Sequence, residues 1–189
     1  MDFNFISYSN KLSDSLNNIN SNKISILEKK LLKCWTSKKQ VFFCGNGGSA
    51  GNANHLANDF IYGVAKKTGS GFKVHSLSSN QSVITCLAND CGYESIYSEQ
   101  LATLGNKGDL LICLSGSGNS PNILKAINVA KNMGIFVVGV LGYDGGKAKK
   151  VVDLDIHIKI NDMQISEDFQ LIVFHYLMQS LYRKIQDNV

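Results

Sequence analysis

Apolar positions follow two different periods along this chain. Near the start they recur every three or four residues, which predicts amphipathic helices over 3–18 and 22–37. In the second, Ile24, Leu27, Leu31, Leu32 and Trp35 fall on one stripe. Beyond them, short apolar runs alternate with stretches of helical period. Gln40–Cys44, Phe72–Leu77, Asp109–Leu114, Ile135–Leu141 and Leu154–Ile160 read as strands. The fourth run is apolar almost throughout, as in a parallel sheet covered on both faces, and the fifth alternates, as at a sheet edge. Helices are expected from the loop Gly45–Ser49 to about Ala65, from Gln81 to Asn89, and over Tyr93–Leu104 and Pro121–Met133. A short one follows at Asp144–Val151, and a long closing helix runs from Gln164 to about Gln186. Strands alternating with helices predict an α/β fold with a doubly wound, five-stranded parallel sheet flanked by helices. An N-terminal helical arm over 1–37 precedes an α/β core over 38–189. The arm packs either on its own domain or on another subunit. No linker or repeat divides the chain, so one domain is expected over 1–189.

Composition narrows the class. The chain has 189 residues, 44% hydrophobic and 18% charged, which suits a globular domain with a full core and excludes a disordered chain. The net charge of +4 is mildly basic. The lysines between Lys23 and Lys39 alternate with apolar residues, so they read as a solvated helix face and not as a nucleic-acid patch. The five cysteines show no paired spacing, and Cys44, Cys86 and Cys113 lie in apolar runs. Reduced core thiols and a cytoplasmic protein are expected. Asp2 and Asn4 do not open a secretory leader. No apolar run approaches the roughly 20 residues that span a bilayer.

The candidate chemistry starts at Leu114–Lys125, L-S-G-S-G-N-S-P-N-I-L-K. It joins the third strand to a helix in which Ser120 is placed to N-cap and Pro121, the single proline, occupies the first helical position. Two glycines, three hydroxyls and the free N–H groups of the helix start predict an anion site, for a phosphate. A plain strand-to-helix connection would use many of the same residues. After the first strand comes C-G-N-G-G-S-A, in which Gly45, Gly47 and Ala50 match the dinucleotide pattern. That pattern also needs an acidic residue near the end of the second strand, and His75-Ser76-Leu77-Ser78-Ser79 has none. No G-K-S/T follows either. What remains is a second polar glycine loop at the same sheet edge as the first.

Four histidines need assignment. His55 and Asp59, four apart, share a helix face, either as metal ligands or base, or as an ordinary polar surface. His175 lies in the apolar stretch Leu171–Leu177, eight residues after Glu167. It is either a satisfied core group or a site group facing a cleft. His75 and His157 lie in strands and read as structural. Asn89 and Asp90 either turn the chain or hydrogen-bond a polyol.

Taken together, these stretches resemble the sugar isomerase (SIS) domain family, and within it the phosphoheptose isomerase branch. The resemblance rests on the helical arm, G-N-G-G-S at 45–49, His55, A-N-D at 88–90, S-G-S-G-N-S at 115–120, D-G-G-K at 144–147 and the closing helix. It implies a flavodoxin-like sheet and a homotetramer with sites at subunit interfaces. It implies sugar-phosphate binding by Asn46, Gly47, Gly48, Ser49, Ser115, Gly116, Ser117 and Ser120, with Asn89, Asp90, Asp59 and Glu167 also meeting substrate. Zinc, one ion per site, would be held by His55, Asp59, Glu167 and His175, and Asp59 and His175 would transfer protons. The implied reaction is an aldose–ketose isomerisation of sedoheptulose 7-phosphate to D-glycero-D-manno-heptose 7-phosphate. It opens the route to nucleotide-activated heptose for surface polysaccharide such as lipopolysaccharide or capsule. Two positions depart from the family pattern: Asp59 replaces a glutamate and Glu167 a glutamine. An arginine that follows the glutamate in some members is absent, and Lys66 or Lys67 would substitute for it. Alternatives within the fold are an isomerase of another phosphosugar, a non-catalytic relative that binds the replication initiator, and a sugar-phosphate-sensing regulatory domain.

Overall fold

The computed structural model describes residues 4–186. The chain runs α1 (Phe5–Asn17), α2 (Ser21–Thr36), β1 (Gln40–Gly45), α3 (Gly48–Asn58), α4 (Ala65–Thr68), β2 (Lys73–Ser76), α5 (Gln81–Cys91), α6 (Ser98–Leu104), β3 (Leu110–Ser115), α7 (Pro121–Asn132), β4 (Phe136–Leu141), β5 (Leu154–His157) and α8 (Met163–Gln186). The five strands are all parallel in the order β2-β1-β3-β4-β5. That is the flavodoxin-like order, whose winding reverses between β1 and β3. Gly45 pairs with Leu114 there, so the loops leaving β1 and β3 begin side by side.

Alternation along the strands splits the core in two. Val41 and Phe43 face a cluster with α2, α3 and α8, where Phe43 and Phe60 each meet Phe174 edge to face. Phe42 and Cys44 face the other cluster, with α6 and α7. Each fully buried side chain of this size contributes about 1.5–3 kcal/mol by leaving water. Among the described residues no buried side-chain polar atom lacks a partner.

Some elements differ from the periodicity reading. The helix expected to Ala65 ends at Asn58, passes through a π turn at Asp59–Gly63 and resumes as α4. Tyr93–Leu104 divides into a 3-10 turn at Tyr93–Ser95 and α6. The helix expected at Asp144–Val151 shrinks to a 3-10 turn at Ala148–Lys150, because Gly145 and Gly146 hold φ of +86° and +55°. The fifth strand stops at His157, three residues short, and is indeed an edge. The expected start of the first helix at residue 3 lies outside the described residues. From Phe5 onward that helix packs on its own chain: Tyr8 donates to Asp168 on α8 at 2.5 Å, and Lys11 pairs with Asp162 at 2.7 Å. It buries no residue fully and leaves Phe5 81% exposed. No described helix is long and apolar enough to cross a membrane.

Candidate active site

The two glycine loops meet at the winding reversal. Gly47 N-caps α3 with φ +56° and ψ −124°, a conformation open only to glycine. The loop from β3 is braced internally: Gly118 N donates to Ser115 Oγ at 3.0 Å, and Asn119 N to Ser117 Oγ at 3.3 Å. Neighbouring residues 144–148 clamp it from outside, with Ala148 N donating to Gly118 O at 2.9 Å and Lys147 N to Asn119 Oδ1 at 3.0 Å. A Cβ at Gly118 would meet Gly145 O at 2.1 Å, so this close approach also requires glycine. Ser120 occupies the N-cap position and Pro121 the first turn, as expected, but the Ser120 hydroxyl makes no capping bond. Ser115 is buried, while Ser117 and Ser120 are half-buried. The start of α7 brings a positive helix end to this crevice, an arrangement suited to a phosphate.

Helices α3 and α8 run side by side in the same direction. Asn52 donates to Gln170 Oε1 at 2.9 Å, His55 meets His175, and Gly63 lies against Met178. This pairing sorts the residues expected around a metal. His55 Nε2 and His175 Nε2 are 2.9 Å apart, and Asp59 Oδ2 lies 3.5 Å from each. Glu167 does not join them. It lies two turns back on α8, offset from His175 by about 12 Å along the axis. There its carboxylate covers the start of α3, where a Cβ at Gly48 would fall 2.3 Å from Oε2. A carboxylate at a helix N-terminus is electrostatically favoured.

A tetrahedral zinc with bonds of about 2.0–2.2 Å separates its donor atoms by about 3.4 Å. The triangle of 2.9, 3.5 and 3.5 Å matches that spacing. Two imidazoles and one carboxylate are also a donor set zinc accepts with a fourth position left open. These three are the group among the described residues that could hold a metal ion.

The SIS domain model matches residues 4–142. The phosphoheptose isomerase of Helicobacter pylori strain P12 is 37% identical over 153 residues, 81% of this chain and 79% of that protein. That of Rhodospirillum rubrum is 40% identical over 138 residues, 73% of each. The chain belongs to the phosphoheptose isomerase family. Its fold agrees: the structure of phosphoheptose isomerase from Neisseria gonorrhoeae superposes with a TM-score of 0.85 at 26% identity, over 97% of this chain and 95% of that one.

Other family-implied positions take up distinct settings. Asn89 and Asp90 are exposed at the end of α5, with Asn89 Nδ2 donating to Asp90 Oδ1 at 2.7 Å. Ser49 is buried at 4% exposure, and its hydroxyl accepts from Gln170 Nε2 at 3.0 Å. The Asn46 carboxamide is engaged with Asn122, a residue that the loop motif contained but spacing alone did not single out. The Lys66 ammonium stands 5.3 Å from the Tyr62 ring, and the Lys67 side chain lies outside what is described. His75 stacks on Phe42, and His157 bonds Tyr143 O at 3.1 Å and Lys149 Nζ at 3.1 Å; neither lies in the metal-type cluster.

Proposed function

We propose that this chain interconverts sedoheptulose 7-phosphate and D-glycero-D-manno-heptose 7-phosphate, supplying an activated heptose for surface polysaccharide. The observation that carries the reading is the meeting of His55, Asp59 and His175 in a member of this family. A merely phosphosugar-binding relative has no need of such a cluster. The loop 115–120 and the start of α7 hold the phosphate, so that binding energy positions the far end of the sugar. The reaction takes a proton from C1, passes through an enediolate and delivers a proton to C2, while a hydroxyl proton moves from the C1 oxygen to the C2 oxygen. Asp59 and His175 are the pair that removes and returns the carbon proton. Zinc, when bound by His55, Asp59 and His175, supplies Lewis-acid polarisation of the carbonyl.

The active form is a homotetramer. Ile61, Tyr62, Ile172 and Tyr176 are 49, 61, 38 and 58% exposed on the elements that carry the triad, and Phe5 and Ile6 are exposed on the arm. Burying this apolar surface against other copies would close the site from water. Glu167, remote from the triad within one chain and held over the start of α3, would serve a site shared between chains. The five free thiols suit a reducing cytoplasm; Cys44 and Cys113 lie in the core as expected, whereas Cys86 is exposed on α5.

Incubating the purified protein and zinc with sedoheptulose 7-phosphate, and following the aldose product by NMR, tests the reading. Product formation by a species sedimenting as a tetramer is expected. Turnover of a different ketose phosphate alone would redirect the assignment, and no turnover of any would overturn it.

A further inference from the structure

Asn122 is the second residue of α7 and is 1% exposed. A polar side chain so buried must find partners, and this one finds them across the crevice. Its Nδ2 donates to Asn46 Oδ1 at 2.8 Å, and Asn46 Nδ2 donates back to Asn122 Oδ1 at 2.9 Å. Asn122 Oδ1 also accepts from Ile123 N at 2.9 Å, which ties the pair to the first turn of α7. Asn46 sits between β1 and the N-cap of α3, so the two carboxamides join one glycine loop to the helix start of the other.

Aromatic hydroxyls fix the Asn46 side of the pair. The Tyr97 hydroxyl bonds Gly45 O and stands 3.2 Å from Asn46 Oδ1. Tyr93 also donates to Asn46 Oδ1, at 3.2 Å. With Asn122 Nδ2 and these hydroxyls around it, the Asn46 oxygen is saturated. Of the Asn46 amide, one N–H is held by Asn122 and the other is left over. The pair is also neutral, so it joins the loops without adding to the negative charge that Glu167 already brings to the start of α3, and it leaves the positive end of α7 to attract an anion.

We propose that Asn122 is a positioning residue for the substrate phosphate. Through its reciprocal amide pair with Asn46, it holds the two glycine loops in register and commits the remaining Asn46 N–H to the phosphate. Asn122 itself touches no substrate. The proposal rests on the reading of this crevice as the phosphate end of the site.

The test compares Asn122→Ala, Asn46→Ala and the double variant. It measures binding of inorganic phosphate and the kinetics of sedoheptulose 7-phosphate. Loss of neutral hydrogen bonds of this kind predicts a phosphate Kd and a KM raised about 5- to 30-fold, with kcat within about threefold. The double variant should be no worse than the weaker-binding single variant, because the two residues act as one unit. An unchanged KM in folded Asn122→Ala, or effects that multiply in the double variant, would overturn the proposal. If Asn122→Ala does not fold, the unsubstituted protein still decides: side-chain amide NMR should show a cross-relaxation peak between the Asn46 and Asn122 carboxamides, and its absence overturns the pairing. Ser117→Ala separates the two readings. If it weakens phosphate binding and Asn122→Ala does not, the positioning role fails while the crevice assignment stands.

Discussion

The two ends of the proposed site are built differently. At the winding reversal, the glycine loops are braced by Ser115, by residues 144–148 and by the Asn46–Asn122 pair, much of it buried. At the other end, His55, Asp59 and His175 meet near the surface, with side chains 49, 19 and 41% exposed, among outward-facing Ile61, Tyr62 and Tyr176. The first end is finished within one chain and the second is open. An anion site gains from rigid, pre-aimed donors and needs nothing more from a partner. A proton-transfer site needs a dry enclosure, and an open triad acquires one only from another surface. Under the proposed function, the anchor lies inside the protomer and assembly would supply the enclosure of the chemistry.

The sharpest way to break this division is to disable one end and measure the other. Asp59→Ala and His175→Ala should each lower kcat by about 10²- to 10⁴-fold, the range of a lost acid–base group. Removing metal with a chelator should act in the same direction and be reversed by zinc. In all three cases inorganic phosphate should bind within about twofold of the unaltered protein. A parallel loss of phosphate affinity would show that the two ends are not independent.

The converse change is expected to be smaller. Ser117→Ala removes a half-buried hydroxyl from the loop and should raise KM roughly ten- to a hundredfold, since a hydrogen bond to a charged group contributes about 1.5–3 kcal/mol. A fall in kcat with KM unchanged would move Ser117 out of the anchor.

The smallest effect concerns the arm, which docks on the first turns of α8. Lys11 holds the Asp162 carboxyl below its ordinary value of 3.8, helped by the Ile165 N–H at the start of α8. A carboxyl whose folded pKa is depressed contributes stability above its unfolded pKa and loses it as pH falls through the folded value. Docking of α1 should therefore be intact near neutral pH and weaken below about pH 4. Hydrogen exchange of α1 amides should rise there before that of β1 or β3. Equal protection at all acidic pH values would remove Asp162 from the docking of the arm.

Much of the scaffold was legible without coordinates. Ile135–Leu141 is apolar at nearly every position because its strand is covered on both faces. Pro121 after Ser120 marked a helix start, since proline needs no partner for a missing N–H. The π turn at Asp59 was not legible, because Phe60, Ile61 and Tyr62 continue an apolar pattern that an uninterrupted helix would share. Asn122 looked like an ordinary first-turn residue, and nothing local to it reports a partner 76 positions away.

The chain's local chemistry determined the alternation of strands and helices, the two glycine loops and the residue types of the candidate site. These follow from backbone sterics, capping and the period of apolar burial, which act over a few residues. Tertiary structure decided which of those residues meet. Parallel packing of α3 and α8 brings His175 to His55 and Asp59 and leaves Glu167 two turns away over Gly48. It also turns Ser49 toward Gln170, while the adjacency of β1 and β3 pairs Asn46 with Asn122. Such choices depend on the register of elements distant in sequence, and register is set by the packing of whole faces, to which any one residue adds little.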